Sequence, residues 1–199
     1  MKIPLETADR WAEQILDELR PHCTRIEVAG SIRRRRPVVG DIDLVIQTDT
    51  PMAVRERILS SAAEIVTNGK QTLIVTLSNG VRVDAWFAHG PAGDLFGAAQ
   101  RPNFGALLLT RTGSREFNIW LVSWAKRRGL QWKPNAGVFQ YGRCIAAESE
   151  EAVFDALGMP IIPPEKREVG ANTGAHRMAP AECASTVPPL VVHSGSEDK

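Results

Sequence analysis

The sequence predicts an α+β fold in two unequal parts, and three observations carry that expectation. Leu5, Ala8, Trp11, Ala12, Ile15, Leu16 and Leu19 recur at three- and four-residue spacing, which is one face of an amphipathic helix. The segments Asp41-Ile42-Asp43-Leu44-Val45-Ile46 and Val81-Arg82-Val83-Asp84-Ala85-Trp86 read as strands. After a Gly/Pro/Ala-rich stretch at 89–102 the pattern changes, with short helices and strand-and-turn segments in place of the longer units before it.

Taken in order, the first helix ends at Pro21, which cannot continue it. Residues 25–29 alternate as a strand, and 38–47 form a second one. Thr50 followed by Pro51 suits an N-cap and first turn, so a helix is expected from there to about Val66. Thr72–Leu77 and 81–87 are expected to pair about Asn79-Gly80, a preferred type I′ hairpin sequence. Together these make a mixed sheet with flanking helices. In the second part, 104–110 is a short apolar helix. Ser114 caps a longer one carrying Phe117, Trp120, Leu121 and Trp124, closed by Gly129. Residues 130–147 have strand and turn character, and Ser149 caps a last helix stopped by Gly158 and Pro160. Residues 169–199, rich in Ala, Pro, Ser and Gly, are expected to be a disordered tail. The expected domains are 1–98, 99–168 and the tail.

Composition narrows the function classes. The 199 residues are 43% hydrophobic and 24% charged, an ordinary globular balance that excludes whole-chain disorder. No apolar run approaches the roughly 20 residues of a membrane span. The charged N-terminus lacks the apolar core of a secretory signal. Cys23, Cys144 and Cys183 make neither a disulfide framework nor a zinc signature, so a reducing cytoplasm is the expected compartment. His22, His89, His176 and His193 show no ligand spacing. With a net charge of +1, affinity for nucleic acid has to come from local patches.

One such patch is Gly30-Ser31, after a strand and before Arg33-Arg34-Arg35-Arg36. Glycine admits close backbone approach, a helix start aims N–H groups at an anion, and arginine adds bidentate phosphate contacts. The bland reading is a tight turn with a solvated arginine run. Asp41 and Asp43 point the same way if both lie on a strand, at a separation of roughly 7 Å along it. Two like charges on one face are costly without a cation, and hard oxygen ligands suit Mg²⁺. Asp84 shares a face with Arg82, opposite Val81, Val83, Ala85 and Phe87. If its strand neighbours that of Asp41 and Asp43, three carboxylates converge, enough for a two-metal clamp on phosphoryl transfer. The alternatives are a solvated edge strand and a surface Arg82/Asp84 pair. Trp120, Trp124 and Trp132 read as core more than as base-stacking surface. Lys126-Arg127-Arg128 reads either as cations at a helix C-terminus or as DNA phosphate contacts.

Gly30-Ser31, nine residues, Asp41-x-Asp43, then a strand bearing Asp84 resembles the nucleotidyltransferase superfamily. Thr112-Gly113-Ser114 leading into Phe117-Asn118, with Ser149-Glu150-Glu151 through Leu157-Gly158-Met159-Pro160 to Glu168, resembles the thumb of family X DNA polymerases. The resemblance implies a nucleotidyltransferase palm followed by a small α+β thumb. It implies a DNA polymerase using two Mg²⁺ ions, with Mn²⁺ as a substitute, on primer-template or gapped DNA and deoxynucleoside triphosphates, as a monomer in repair or short-gap filling. Asp41, Asp43 and Asp84 would be the catalytic metal ligands. Gly30, Ser31, Arg34, Gly40, Gly113 and Asn118 would bind the nucleotide, with Arg33 and Arg82 in support. The chain starts at the palm, so abasic-site lyase activity is not expected. Thr110-Arg111 and Val122 depart from the family's aromatic pair and arginine, which keeps untemplated or other-acceptor nucleotidyl transfer open. A catalytically silent DNA-binding module is the third class. The truncated form suits a bacterial or viral type of chain.

Overall fold

The computed structural model describes residues 2–90, 92–93 and 99–168. The chain runs β1 (Ile3–Pro4), α1 (Leu5–Leu19), β2 (Arg25–Val28), α2 (Gly30–Arg33), β3 (Val38–Val39), β4 (Ile42–Gln47) and α3 (Pro51–Ser60). Next come β5 (Ala62–Asn68), β6 (Thr72–Leu77), β7 (Arg82–Phe87), and the short pair β8 (Ala92–Gly93) and β9 (Ala99–Gln100). The second part holds α4 (Phe104–Thr112), α5 (Arg115–Arg127), β10 (Gln131–Lys133), β11 (Gly137–Gln140), β12 (Arg143–Ala146) and α6 (Glu150–Ala156).

Five strands form a mixed sheet in the order β2-β4-β7-β6-β5. Only β4 and β7 pair in parallel within it; the other neighbours are antiparallel. The amphipathic face of α1 buries Ala8, Ala12, Leu16 and Leu19 on this sheet, beside Val54 and Ile58 of α3. Ile42, Leu44, Ile46, Val83 and Ala85 meet them from the strands. The opposite face of β4 carries Val45, which packs with Ala29 and with Phe104, Leu107 and Leu108 of α4. The other side of α4, with Ala106 and Leu109, joins a second core built from Phe117, Leu121 and Trp124 of α5, Trp132, Val138, and Val153 and Phe154 of α6. α4 is therefore shared by both apolar cores. Both Trp124 and Trp132 are core residues, and Trp120 packs partly buried beside them.

Gly105 explains how closely α4 packs on α6. A Cβ there would stand 2.1 Å from the backbone carbon of Ser149, the N-cap of α6. No side-chain rotation relieves a clash with backbone. Gly105→Ala is expected to cost about 1–3 kcal/mol or more by overpacking, read as a lower urea midpoint; an unchanged midpoint would show that the two helices separate without cost.

Two expectations need correction. The helix from Pro51 stops at Ser60, and Ala62–Asn68 is a strand paired antiparallel with β6. It is the outer strand, with Ile65 55% and Val66 49% exposed, so neither face carries a buried alternation. The β6–β7 turn is not type I′, because Gly80 (φ 79°) has positive φ and Asn79 does not. Gly80 N–H instead donates to Leu77 O, and the Asn79 side chain accepts from Val81 N–H. Residue 98, at the expected 98/99 boundary, and the expected tail at 169–199 lie outside the described residues, as do Cys183, His176 and His193.

Candidate active site

Parallel pairing sets Asp43 opposite Asp84 and Val45 opposite Trp86. Because strand side chains alternate, these four point away from the core under α1 and α3. α4 covers Val45, while Asp43 and Asp84 lie nearer the N-terminal ends of their strands. The single strand expected over 38–47 is divided into β3, which pairs with β1, and β4 of the main sheet, so Asp41 is not on a strand but immediately precedes β4. Arg82 forks onto Asp84, Nε to Oδ1 at 2.7 Å and Nη2 to Oδ2 at 3.0 Å.

Gly30 opens α2 at φ 59°, and a Cβ there would come within 2.0 Å of Asp43 Oδ2. Only glycine lets the backbone of this turn close onto the carboxylate. Ala29 N–H donates to Asp43 O at 2.8 Å, tying the turn to β4. Burial, then the charges of Asp41 and Asp84, push the Asp43 carboxyl up to about 7. The Trp86 indole N–H offsets part of that rise without completing a hydrogen bond of good geometry. Asp41 is also raised, by burial and then by Asp84. The three carboxylates thus interact across a face that is short of positive charge. That charge fits a hard divalent cation, although among the described residues no three His, Cys, Asp or Glu side chains are gathered closely enough to cage one as they stand.

A cleft of about 390 Å³ adjoins this face, lined by Arg34, Thr110, Arg111, Gly113, Arg115 and Asn118 among others. Gly113 sits against Arg34, whose Nη1 would be 3.2 Å from an added Cβ. Arg34 Nε donates to Glu168 Oε1 at 2.7 Å, and its Nη1 donates to Thr112 O. Asn118 Nδ2 donates to Thr110 O at 2.8 Å, leaving its buried Oδ1 without a partner. Ser31 Oγ is likewise buried and unpartnered. Gly40 is exposed with open space where a Cβ would stand. Arg33 turns the other way: both its terminal nitrogens bond Glu150 at 2.8 Å, and Nη1 also reaches Thr112 Oγ1.

The structure therefore brings Asp41, Asp43, Asp84, Arg82 and Gly30 together, and Arg34, Gly113 and Asn118 along one neighbouring cleft. Arg33 is committed to a partly buried ion pair with Glu150 between the two parts. Arg128 donates to Leu157 O, so one member of the Lys126-Arg127-Arg128 run has a structural partner. Sequence reasoning gave no role to Trp86, Glu168 or Arg115, and it noted Arg111 only as a departure. The strand alternation that pairs Asp84 with Trp86 on one face was the available signal for Trp86.

Residues 107–168 match the family described as DNA polymerase beta thumb. The chain is 31% identical over 174 residues to the DNA polymerase/3'-5' exonuclease PolX of Bacillus subtilis (strain 168), covering 85% of this chain. It spans 29% of that relative's length. It is similar in fold to Leishmania infantum polymerase beta, solved as a ternary P/T complex, at a TM-score of 0.66 and 21% identity, covering 85% of this chain and 77% of that one.

Proposed function

We propose that this chain, similar to family X DNA polymerases in its thumb match and its relatives, is a DNA-directed DNA polymerase, adding deoxynucleotides to a primer 3′-hydroxyl and releasing pyrophosphate. The observation that carries the reading is the parallel pairing of Asp43 with Asp84 on a face that also meets Gly30 and the arginine-lined cleft. A carboxylate set short of positive charge beside a cationic cleft suits a metal-bound triphosphate.

Asp41, Asp43 and Asp84 would hold two Mg²⁺ ions, for which Mn²⁺ could substitute. Bound there, the metal supplies positive charge to the transferring phosphoryl group. The protein's own part is positioning. Arg82 fixes the Asp84 carboxylate beside the expected 3′-hydroxyl. Gly30 lets the turn approach, and Ser31 Oγ is an unspent polar group for the triphosphate. Arg34 would exchange its bond to Glu168 for phosphate oxygens, and the buried, unpartnered Asn118 Oδ1 would meet a base once exposed in the cleft. Gly40 has space around it for a phosphate, and Gly113 keeps the cleft floor low. Gapped or primed DNA in repair is the expected context. Among the described residues no helix is long and apolar enough to cross a membrane.

Single-nucleotide primer extension with Mg²⁺ tests this, on a one-nucleotide gap, an open template-primer and a single strand, with Asp84→Ala as control. Addition of the complementary nucleotide alone, lost in Asp84→Ala, is the expected result. Addition to the single strand regardless of base would replace it with untemplated transfer. No addition by folded protein would point to another acceptor.

A further inference from the structure

Arg111, in the last turn of α4, lays its guanidinium over the Trp86 ring, with Cζ 3.2 Å from the ring centroid. Trp86 shares its sheet face with Asp43 and Asp84, so the cation is held beside both carboxylates, within electrostatic reach of each. It makes no closed ion pair there: Arg111 Nε is buried and has no hydrogen-bond partner, and neither has Trp86 Nε1. By contrast, Arg82 spends two nitrogens on Asp84, and Arg33 spends both terminal nitrogens on Glu150. Arg111 also lines the cleft that holds Arg34, Gly113 and Asn118. A cation fixed by an aromatic face rather than by hydrogen bonds gives up little directional bonding when it moves. The cleft offers it somewhere to go.

We infer that Arg111 is a resident counter-cation of the carboxylate face, competing with divalent metal and leaving Trp86 when metal enters. This rests on the reading of Asp41, Asp43 and Asp84 as metal ligands. Two cations of like sign cannot share the space in front of Asp43 without repulsion, so occupancy by one weakens the other. Arg111 thereby sets the metal concentration at which the site fills, and it stands ready at the cleft when it is displaced.

The test is Mn²⁺ binding to the full chain without nucleotide, followed by electron paramagnetic resonance of the free ion. Arg111→Leu should bind Mn²⁺ more tightly by about 5- to 150-fold, the usual span of coupling between two ligands, while Arg111→Lys stays near wild type. Mg²⁺ titration should change tryptophan emission in wild type as the guanidinium leaves Trp86, and this change should be absent in Trp86→Phe and in Arg111→Leu. Arg111→Gln supplies the same comparison should the leucine variant misfold. Equal or weaker binding by the folded uncharged variants, with binding still lost in Asp43→Asn, would overturn the role of Arg111 alone. Binding that is indifferent to Asp43→Asn would overturn both this inference and the reading beneath it.

Discussion

Glu150→Ala is expected to lower the stability of the protein by about 3–5 kcal/mol, the cost of breaking a buried ion pair by removing one partner. Glu150 is buried and accepts from Arg33 at 2.8 Å twice and from Arg167 at 2.6 and 3.2 Å. Arg167 has no exposed surface, and its Nε is already used on Ile162 O. Without the carboxylate, the fully buried Arg167 guanidinium is left facing the partly buried Arg33 guanidinium, which repels it, with no anion between them. Burial alone would raise the Glu150 carboxyl, but the bonds from Arg33 and then Arg167 outweigh it and hold it below its ordinary range. Its stabilising contribution is therefore complete above the carboxylate range of the unfolded chain and is lost as pH falls through the depressed native value. Denaturant unfolding of wild type and Glu150→Ala should differ most near neutral pH and converge in acid. A midpoint unchanged at neutral pH would show that the two arginines find other partners or water. Because Arg33 belongs to α2, which opens at Gly30 and Ser31, loosening this pair should also disturb the candidate phosphate turn.

What was legible in the sequence followed from periodicity, and what was not followed from distance along the chain. The α1 stripe and the alternation in β7 each have a buried and a polar side, so residue spacing alone assigns their faces. The strand at Ala62–Asn68 lacks that contrast. It lies at the sheet edge with both faces open, and the helical pattern from Pro51 ran on through it. Within the site, Asp43 and Asp84 could be put on one face by alternation, conditional on β4 and β7 being neighbours, as they are, whereas Asp41 lies just before β4 and alternation does not place it. Arg33 and Arg34 are adjacent arginines and looked equivalent. Their partners separate them: Glu150 lies 117 residues from Arg33, and Glu168 lies 134 residues from Arg34. No local pattern encodes such pairings. The same holds for Arg111, whose place over Trp86 depends on how α4 crosses the sheet.

Asp43→Asn should remove activity while making the metal-free protein more stable near neutral pH, and the two effects have one cause. The Asp43 carboxyl is pushed up to about 7 in the native state by burial, Asp41 and Asp84, against about 3.9 in an unfolded chain. Between those values the native state keeps a proton that the unfolded state has lost. Stability therefore falls as pH rises from about 4 to about 7, and above that the whole cost is present. Asparagine carries no such charge. The variant should be more stable than wild type near pH 8 by on the order of a few kcal/mol, seen as a higher melting temperature, and the two should converge below about pH 4. Mg²⁺ should raise the wild-type melting temperature and leave the variant's nearly unchanged, since only the wild type offers the missing charge a place to bind. Primer extension by the variant should fall by roughly a thousandfold, as expected for about 4 kcal/mol of lost transition-state stabilisation. A metal-free wild type more stable than Asp43→Asn at pH 8 would mean that the carboxylate is favourably paired, and the strain ascribed to this face would be gone. The Gly30 turn closes directly onto Asp43, so the chain holds the carboxylate where it is least comfortable without a cation. That arrangement is what the proposed metal-dependent phosphoryl transfer would need, and it would cost stability in the metal-free protein.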